Sequence, residues 1–256
     1  MLAGAVRMTR RAAALAIDAV LPPQCLSCRT MVEAQGTLCN ACWAKINWLA
    51  PPLCASCGRP FEFDPGLREP NETLVCGACL REPPAFSRAR AVFRYDEASR
   101  GLILAFKHAD RTHGVPAFGR WLARAGAELL AEADVVAPVP LHWTRLAWRR
   151  FNQAAMLARA TANQAGRVCV PDLLVRHRRT KQQGDMGRAA RERNVRRAFA
   201  IHRRRHNLVA GKRILLVDDV FTTGATVGEC ARTLVAAGAA AVDVLTLARV
   251  VRPEWP

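Results

Sequence analysis

Long apolar runs are missing from this sequence. No stretch reaches the roughly twenty uninterrupted apolar residues that a membrane-spanning helix requires. Hydrophobic residues nevertheless make up 51% of the 256 positions, which is too many for a disordered chain and enough for a substantial core. We therefore expect a folded protein without a membrane span, organised as one large domain or as two.

Lysine and aromatic residues are scarce as well. Only four lysines are present, so arginine supplies most of the formal net charge of +17. So large a positive charge favours contact with polyanions such as a nucleic acid, a nucleotide or pyrophosphate. Aromatic residues make up 6% of the sequence, with a single tyrosine. That low content counts against a protein that stacks many bases of a single strand on aromatic rings.

The amino terminus carries Arg7, Arg10 and Arg11 ahead of a short apolar run, an arrangement superficially like that of a secretory signal peptide. Asp18 interrupts the run, and no small-x-small cleavage site lies between it and the first cysteine. We expect instead a short helix within residues 1–21 that packs on the cysteine-rich region, and a cytoplasmic protein.

Eight of the ten cysteines form four pairs, each with two residues between the partners. These pairs are Cys25/Cys28, Cys39/Cys42, Cys54/Cys57 and Cys76/Cys79. Two such knuckles complete a tetrahedral Cys₄ site, so four knuckles predict two zinc ions. Disulfide bonds in a secreted protein are the weaker alternative, because the chain has no convincing signal sequence.

The spacing leaves two pairing schemes open. In the sequential scheme, the first knuckle shares a zinc ion with the second, and the third with the fourth. In the cross-braced scheme, the first pairs with the third and the second with the fourth. A closed Cys₄ site has no open coordination position in either case, so we expect structural rather than catalytic zinc.

The composition changes at Pro83-Pro84, where the cysteine pairs end. We predict a boundary there, between an N-terminal helix with a double zinc ribbon over residues 1–84 and a second domain over residues 85–256. Strands are predicted at 91–95, 134–140, 172–175, 213–217 and 241–248, with helices at 100–108, 115–133, 151–164 and 227–237. Alternating strands and helices are typical of an α/β domain with a parallel sheet and helices on both faces.

The most informative stretch is residues 213–226. The apolar run Ile214–Val217 predicts a buried parallel strand. It is followed by Asp218 and Asp219, and then by a small-residue turn that leads into a helix. Ligands collect outside the carboxyl ends of parallel strands. The first N–H groups of the helix favour a phosphate, and paired carboxylates suit two sugar hydroxyls or a Mg²⁺.

Two other interpretations of this stretch compete with a ligand site. One is an ordinary strand-turn-helix without a ligand. The other is a response-regulator receiver, whose first strand also ends in an acidic pair. A receiver needs a second Asp and a Lys in most of a domain after that strand, and no lysine follows Asp219. The receiver interpretation therefore fails.

The same stretch resembles the phosphoribosyl-pyrophosphate (PRPP) loop of type I phosphoribosyltransferases, in which an acidic pair precedes a TTGxT turn. The resemblance implies that Asp218 and Asp219 hold the ribose hydroxyls and Mg²⁺. It also implies that the turn holds the 5′-phosphate of PRPP. The turn consists of Thr222, Thr223, Gly224, Ala225 and Thr226, with Ala225 where the family often has a second glycine.

Residues 176–205 form the most basic segment, with eleven arginines and Lys181 against two acidic residues. Its first part, residues 176–188, lacks apolar periodicity and predicts a mobile loop. One interpretation is a solvated surface. The other is a cationic loop that closes over the site, neutralises a leaving pyrophosphate and excludes water.

The whole pattern is similar to the ComF competence family. The resemblance covers nearly the entire chain in the same order, and it implies a double zinc ribbon joined to a type I phosphoribosyltransferase-like domain. Besides the cysteine pairs and the PRPP-type loop, it rests on Phe106-Lys107, Pro138-Val-Pro-Leu141, Arg149-Arg-Phe-Asn-Gln153, Thr180-Lys-Gln-Gln-Gly184 and Arg191-Glu-Arg-Asn194.

Further site residues follow from this resemblance. The turn after Pro138-Val-Pro140, with Arg145 or Arg149 nearby, is a candidate for the pyrophosphate side, and so is Lys107. Lys181 and Arg191 are assigned to the closing loop. The family is associated with natural transformation, so single-stranded DNA and DNA-uptake proteins are candidate partners.

The predicted function is binding of Mg-PRPP or a related phosphoribosyl ligand by a protein that acts in DNA uptake. If the protein is an enzyme, a nitrogen nucleophile displaces pyrophosphate from C1 of PRPP. No residue stands out as a base, so the acceptor stays unassigned. The alternative is a non-catalytic single-stranded-DNA-binding protein that uses the zinc ribbon and the basic segment, with binding that weakens steeply with salt.

Overall fold

The computed structural model describes residues 22–62, 73–107, 109–149, 151–180 and 187–251. The helix predicted at the amino terminus lies outside these residues. The chain divides into two compact units, Met1–Lys45 and Ile46–Pro256. The second unit therefore contains the third and fourth cysteine knuckles as well as the sheet. The boundary predicted at residue 84 rests on composition and stays a prediction.

The described part of the first unit, residues 22–45, contains two cysteine knuckles and the short helix α1 (Asn40–Lys45). The first knuckle is closed by the backbone, since the N–H of Cys25 donates to the Thr30 carbonyl at 2.8 Å and that of Arg29 donates to the Cys25 carbonyl at 3.1 Å. Arg29 takes a positive φ of 67° within this tight turn. The local geometry thus brings both thiols of the knuckle to one side.

The second unit begins with the third and fourth cysteine knuckles and continues into an α/β fold. Its elements before the basic segment are α2 (Gly77–Arg81), β1 (Arg88–Arg94), α3 (Glu97–Lys107), α4 (Val115–Ala125), α5 (Ala127–Glu132), β2 (Val135–Pro138), α6 (Trp143–Arg149) and α7 (Gln153–Ala165). The later elements are β3 (Leu174–Arg176), α8 (Arg188–Val195), β4 (Phe199–Ile201), β5 (Arg213–Phe221), α9 (Ala225–Ala236) and β6 (Ala241–Arg249).

Four strands form a parallel sheet in the order β1-β6-β5-β2. Helices cover both of its faces. Val244 packs in the same apolar cluster as Leu234 of α9, whereas Leu245 packs against Gly126 at the junction of α4 and α5. Because successive side chains of a strand point to opposite faces, α9 and the α4–α5 pair lie on opposite sides. The predicted fold class is confirmed.

The helix predicted over 115–133 is divided in two at Gly126. A side chain at this position would clash with Leu245, since a Cβ would lie 2.6 Å from its Cδ2. Gly126 ends α4 and begins α5 with φ −108° and ψ 23°. A residue that is distant in sequence therefore favours glycine at the position where the helix divides.

The strand predicted at 172–175 does not join the parallel sheet. Strand β3 pairs with β4 in a separate antiparallel sheet, with Val175 opposite Ala200. The basic segment brings the chain back alongside itself, which makes antiparallel pairing the natural arrangement. Helices α6 and α8 and strand β4 were not predicted. Of the helices in the described ranges, none has the length and apolar character needed to cross a bilayer.

Candidate functional site

The cysteines form two clusters with the sequential pairing. One cluster contains Cys25, Cys28, Cys39 and Cys42, the other Cys54, Cys57, Cys76 and Cys79, and within each the sulfur atoms lie within 4.8 Å of one another. The Sγ atoms of Cys57 and Cys76 are 3.7 Å apart, as are those of Cys28 and Cys39. Four sulfurs at about 2.3 Å from a tetrahedral zinc would be separated by about 3.8 Å. Both clusters therefore fit zinc.

Backbone N–H groups stabilise thiolates in these clusters. Cys54 Sγ accepts from the N–H of Cys76 at 3.3 Å and from that of Cys57 at 3.4 Å. Burial raises the pKa of Cys54, but these backbone donors outweigh it and leave the pKa at about 7. A thiolate is the form that binds zinc, so the backbone favours the metal-binding form of Cys54, whereas burial raises the pKa of Cys57 in the same knuckle.

The acidic pair lies within a strand rather than after one. Strand β5 continues past the predicted end to Phe221, because Asp218 pairs with Thr246 of β6 and Val220 with Ala248. The N–H of Asp219 donates to Asp218 Oδ1 at 2.9 Å. The two carboxylates thus project from adjacent positions near the carboxyl end of a central strand.

Lys107 reaches this acidic pair from the end of α3. Its Nζ lies 3.3 Å from Asp219 Oδ2, and the two side chains are 29% and 18% exposed. The carbonyl of Lys107 accepts from Gln153 Nε2 at 3.1 Å, which ties the end of α3 to the start of α7. The structure therefore brings Lys107, predicted as a site residue, next to Asp219.

Burial raises the pKa of Asp218 to about 8, and the neighbouring Asp219 carboxylate adds to this rise. The N–H of Asp219 and the charge of Lys107 oppose it only in part. When both carboxylates are ionised, the nearby positive charge and hydrogen-bond donors do not fully offset the effects of burial and of mutual repulsion. A cation or a pair of hydroxyl groups bound here would supply what the carboxylates lack.

The turn after β5 is shaped by Gly224, whose φ is 79°. A Cβ at this position would lie 2.9 Å from Phe221 Cζ, so both the backbone conformation and the packing favour glycine. The Gly224 carbonyl accepts from the Gly228 N–H at 2.7 Å, and Ala225 is the first residue of α9. The first N–H groups of this helix form the kind of site that favours an anion.

The Pro138-Val-Pro140 turn lies next to β5. Strand β2 pairs with β5 up to Pro138, opposite Val217, and the Val139 N–H donates to the Val217 carbonyl at 2.9 Å. Asn152 holds the turn from the other side, since its Nδ2 donates to the Val139 carbonyl at 3.1 Å. The turn and the acidic pair consequently lie at the same edge of the sheet.

Asn152 and Gln153 were not predicted as site residues. Asn152 also caps α7, because its Oδ1 accepts from the Ala154 N–H at 3.0 Å. An Asn directly before a helical segment is a recognisable capping signal, and it could have been found. The contact of Gln153 with Lys107 depends on tertiary structure and left no sequence signal.

The other predicted cationic residues are placed as follows. Lys181 lies outside the described residues, and so do the side chains of Arg145 and Arg149, although Arg149 is the last residue of α6. Arg191 is buried on α8, with 9% exposure. The roles assigned to these residues stay predictions.

Comparison with known proteins adds independent information. The double zinc ribbon domain matches residues 16–82, and the phosphoribosyl transferase domain matches residues 152–253. DNA utilization protein YhgH of Salmonella typhimurium is 32% identical over 237 residues, which cover 90% of this chain and 98% of that protein. The chain belongs to the ComF family.

Two further relatives of the ComF family are named for competence. Competence protein F of Haemophilus influenzae is 27% identical over 241 residues, covering 88% of this chain and 96% of that protein. Competence protein ComFC of Bacillus subtilis is 26% identical over 223 residues, covering 86% and 87%. The predicted resemblance is confirmed.

One solved structure, the allosteric regulatory enzyme of purine biosynthesis, matches this ComF-family chain. The match covers 56% of this chain and 30% of the enzyme chain. The TM-score is 0.39 and the identity 24%. The transferase-domain match begins at residue 152. The region that matches the phosphoribosyl transferase domain thus includes the acidic pair and the turn of residues 222–226, whereas Lys107 lies before this region.

Proposed function

We propose that this protein binds a phosphoribosyl ligand, PRPP or a nucleotide-like relative, at the carboxyl edge of β5. The observation that carries the proposal is the arrangement of three features at this edge. An acidic pair, a lysine from another helix and a glycine turn that opens α9 all occur there. The match of residues 152–253 to the phosphoribosyl transferase domain supports the same ligand class.

In this proposal, the turn from Thr222 to Thr226 takes the 5′-phosphate through the first N–H groups of α9 and the threonine hydroxyls. Asp218 and Asp219 accept hydrogen bonds from the ribose hydroxyls. Because the ligand satisfies both carboxylates at once, it offsets the burial that disfavours the charged form of Asp218.

The pyrophosphate side is assigned to Lys107 and to the turn after Pro138. The Lys107 ammonium is paired with the Asp219 carboxylate, which is itself partly exposed, so a polyanion can compete for it. Asp218 and Asp219 are also the residues that would hold a Mg²⁺, since paired carboxylates are the oxygen donors that this ion prefers. Bound there with the ligand, the ion would neutralise charge on the departing pyrophosphate.

If transfer occurs, a bond forms between C1 of the ribose and a nitrogen nucleophile while the bond from C1 to the pyrophosphate oxygen breaks. Positioning and charge stabilisation would then account for most of the rate. We assign no base for the nucleophile among the described residues. Binding is therefore the core of the proposal, and turnover is its extension.

Calorimetric titration of Mg-PRPP into zinc-loaded protein tests the proposal. We expect wild type to bind and the double variant Asp218→Asn, Asp219→Asn to lose at least about tenfold in affinity, because charged hydrogen bonds are removed. The matched control is Asp172→Asn. Asp172 forms an ion pair with Arg205, whose Nη2 lies 3.0 Å from Asp172 Oδ2. Like Asp219, it is a carboxylate paired with a cation, but it is not part of the proposed site. Equal affinity of the double variant and wild type would overturn the site assignment.

A second proposal is that the protein binds single-stranded DNA during DNA uptake. One structural observation favours it: Trp143 is 69% exposed on α6, and Leu146 one turn later is 42% exposed. The same helix contains Arg145 and Arg149. An exposed indole on a helix whose sequence includes arginines is suited to stacking on a base of a single strand. The names of the relatives, DNA utilization and competence, agree with this role.

A further inference from the structure

The second cysteine cluster is bonded directly to the parallel sheet. The Ala89 N–H of β1 donates to the Ser56 carbonyl at 2.7 Å, and Arg90 Nη1 donates to the Ala55 carbonyl at 3.2 Å. Gly58 comes so close to β1 that a Cβ there would lie 2.2 Å from the Ala89 carbonyl oxygen. The knuckle of Cys54 and Cys57 is thus part of the same packed unit as the sheet.

Arg249, the last residue of β6, reaches this cluster from the carboxyl end of its strand. Its Nη2 lies 3.3 Å from Cys57 Sγ, and its Nη1 donates to the Cys57 carbonyl. Both residues are buried, at 8% and 7% exposure. Four thiolates outweigh the two charges of Zn²⁺, so the zinc-loaded cluster is an anion that can hold a buried guanidinium.

The guanidinium of Arg249 also lies over the ring of Phe221. This residue directly precedes residues 222–226, the turn proposed for the phosphate and called the phosphate turn below. Its Cζ lies 4.6 Å from the centroid of the Phe221 ring. Phe221 and Arg249 are also register partners in β5 and β6, and the Val250 N–H donates to the Phe221 carbonyl at 2.8 Å. Phe221 is therefore held by both its ring and its backbone.

The ring of Phe221 limits the conformations that the phosphate turn can adopt. Its ring packs edge-on against Phe86 at 5.9 Å between centroids, and its Cζ occupies the space in which a Gly224 side chain would lie. A shift of the ring would change the space beside Gly224, the residue whose backbone conformation shapes the turn. A continuous set of contacts therefore runs from Cys57 through Arg249 and Phe221 to Gly224.

We propose that Arg249 is a positioning residue that couples the second cysteine cluster to the phosphate turn, so that zinc in this cluster holds residues 222–224 in the shape that receives an anion. Without the anionic cluster, the guanidinium keeps the Cys57 carbonyl as a partner but loses the negative charge that helps to fix it over Phe221. The functional consequence, weaker phosphate binding after zinc loss, rests on the proposed function. The coupling itself does not.

Hydrogen exchange of the full-length protein without ligand tests the coupling. Arg249→Met keeps much of the length of the side chain and removes its charge. We expect it to retain both zinc ions and to exchange the amides of residues 222–226 about tenfold faster, because a charged hydrogen bond and a cation–π contact are lost. The matched control is Arg94→Met, on the neighbouring strand opposite Arg249 and exposed. It should exchange these amides at the wild-type rate.

Removal of zinc with a chelator completes the test. In wild type it should accelerate the same amides, and in Arg249→Met it should add little, because the coupling residue is already absent. Wild-type exchange at the turn in zinc-loaded Arg249→Met would overturn the coupling, even if zinc removal unfolds the ribbon. Normal coupling without any affinity for Mg-PRPP would leave this inference intact and overturn only the proposed ligand.

Discussion

The ammonium of Lys107 lies 3.3 Å from the carboxylate of Asp219 and joins the end of α3 to the central strand β5. An ion pair between partly exposed groups contributes only about 0–1 kcal/mol to stability. The pair therefore has little structural value. It does place a cation at the edge of the sheet, next to the turn proposed for the phosphate.

Substitution of Lys107 tests whether this cation serves the pyrophosphate. We expect Lys107→Met to weaken Mg-PRPP binding by roughly tenfold or more, because a charge-assisted contact is lost. Binding of ribose 5-phosphate, which lacks the pyrophosphate, should change little. Lys212→Met is the matched control, since Lys212 Nζ pairs with Asp134 Oδ1 at 3.8 Å. Equal losses for both ligands in calorimetric titration would assign Lys107 to a general electrostatic role instead.

Two glycines with similar backbone angles separate strain from packing in the phosphate turn. Gly224 has φ 79° and a close neighbour in Phe221, whereas Gly211 has φ 68° and no heavy atom of the described residues within 4 Å of the place that a Cβ would take. Gly211→Ala should cost about 1 kcal/mol from the backbone alone. Gly224→Ala should cost about 1–3 kcal/mol more, from the contact with Phe221. Denaturant unfolding measures both values, and equal costs would show that Phe221 does not constrain the turn.

The raised pKa of Asp218 predicts a pH dependence of stability. The folded protein holds the proton of this carboxyl up to pH of about 8, whereas the unfolded chain releases it near the ordinary pKa of about 4. The stabilising contribution is thus fully present below the unfolded pKa and is lost as pH rises towards 8. Asp218→Asn removes this loss.

The measurement is the free energy of unfolding of wild type and Asp218→Asn, without ligand, across this pH range. We expect the difference in favour of the variant to increase between pH of about 5 and 8. Effects of pH on the cysteines act on both proteins and cancel in the difference. Two parallel stability curves would contradict the assignment of a neutral Asp218 in the folded protein.

Replacement of the exposed tryptophan tests the DNA proposal. Trp143→Ala should weaken binding of single-stranded DNA by about 1–3 kcal/mol, because one stacked base loses its partner. The dependence on salt should stay unchanged, since it reports on phosphate contacts. The matched comparison is Trp43→Ala, which removes another exposed tryptophan, 47% exposed on α1 of the ribbon. Fluorescence anisotropy at several salt concentrations measures each effect, and wild-type affinity of Trp143→Ala would exclude α6 from the interface.

Local signals account for the features that the sequence could predict. The two-residue spacing of the cysteines indicated the eight zinc ligands, and the apolar run 214–217 indicated the central strand. The acidic pair and Gly224 are contiguous with that run, so this part of the site was predictable. Sequential pairing of the cysteine knuckles was confirmed only by the structure, because spacing alone permits both schemes.

Features that depend on distant residues could not be predicted. The predicted helix divides at Gly126, where Leu245 leaves no room for a side chain, and pairing with Ala248 and Arg249 of β6 extends β5 past the acidic pair. Strands β3 and β4 have three residues each, which is too short for a periodic signal. The contact of Arg249 with Cys57 requires both the register of β6 and the docking of a knuckle, and neither is written in a local pattern.

The close approach of Gly58 to the Ala89 carbonyl also limits which zinc ribbons from other proteins could replace the native one. A ribbon from another protein could replace the native one only if it offered a glycine at that position and a carbonyl where Ser56 accepts from β1. Cysteine spacing alone would not make two ribbons interchangeable. The second ribbon and the sheet therefore form one inherited unit, in which a change on either side requires a matching change on the other.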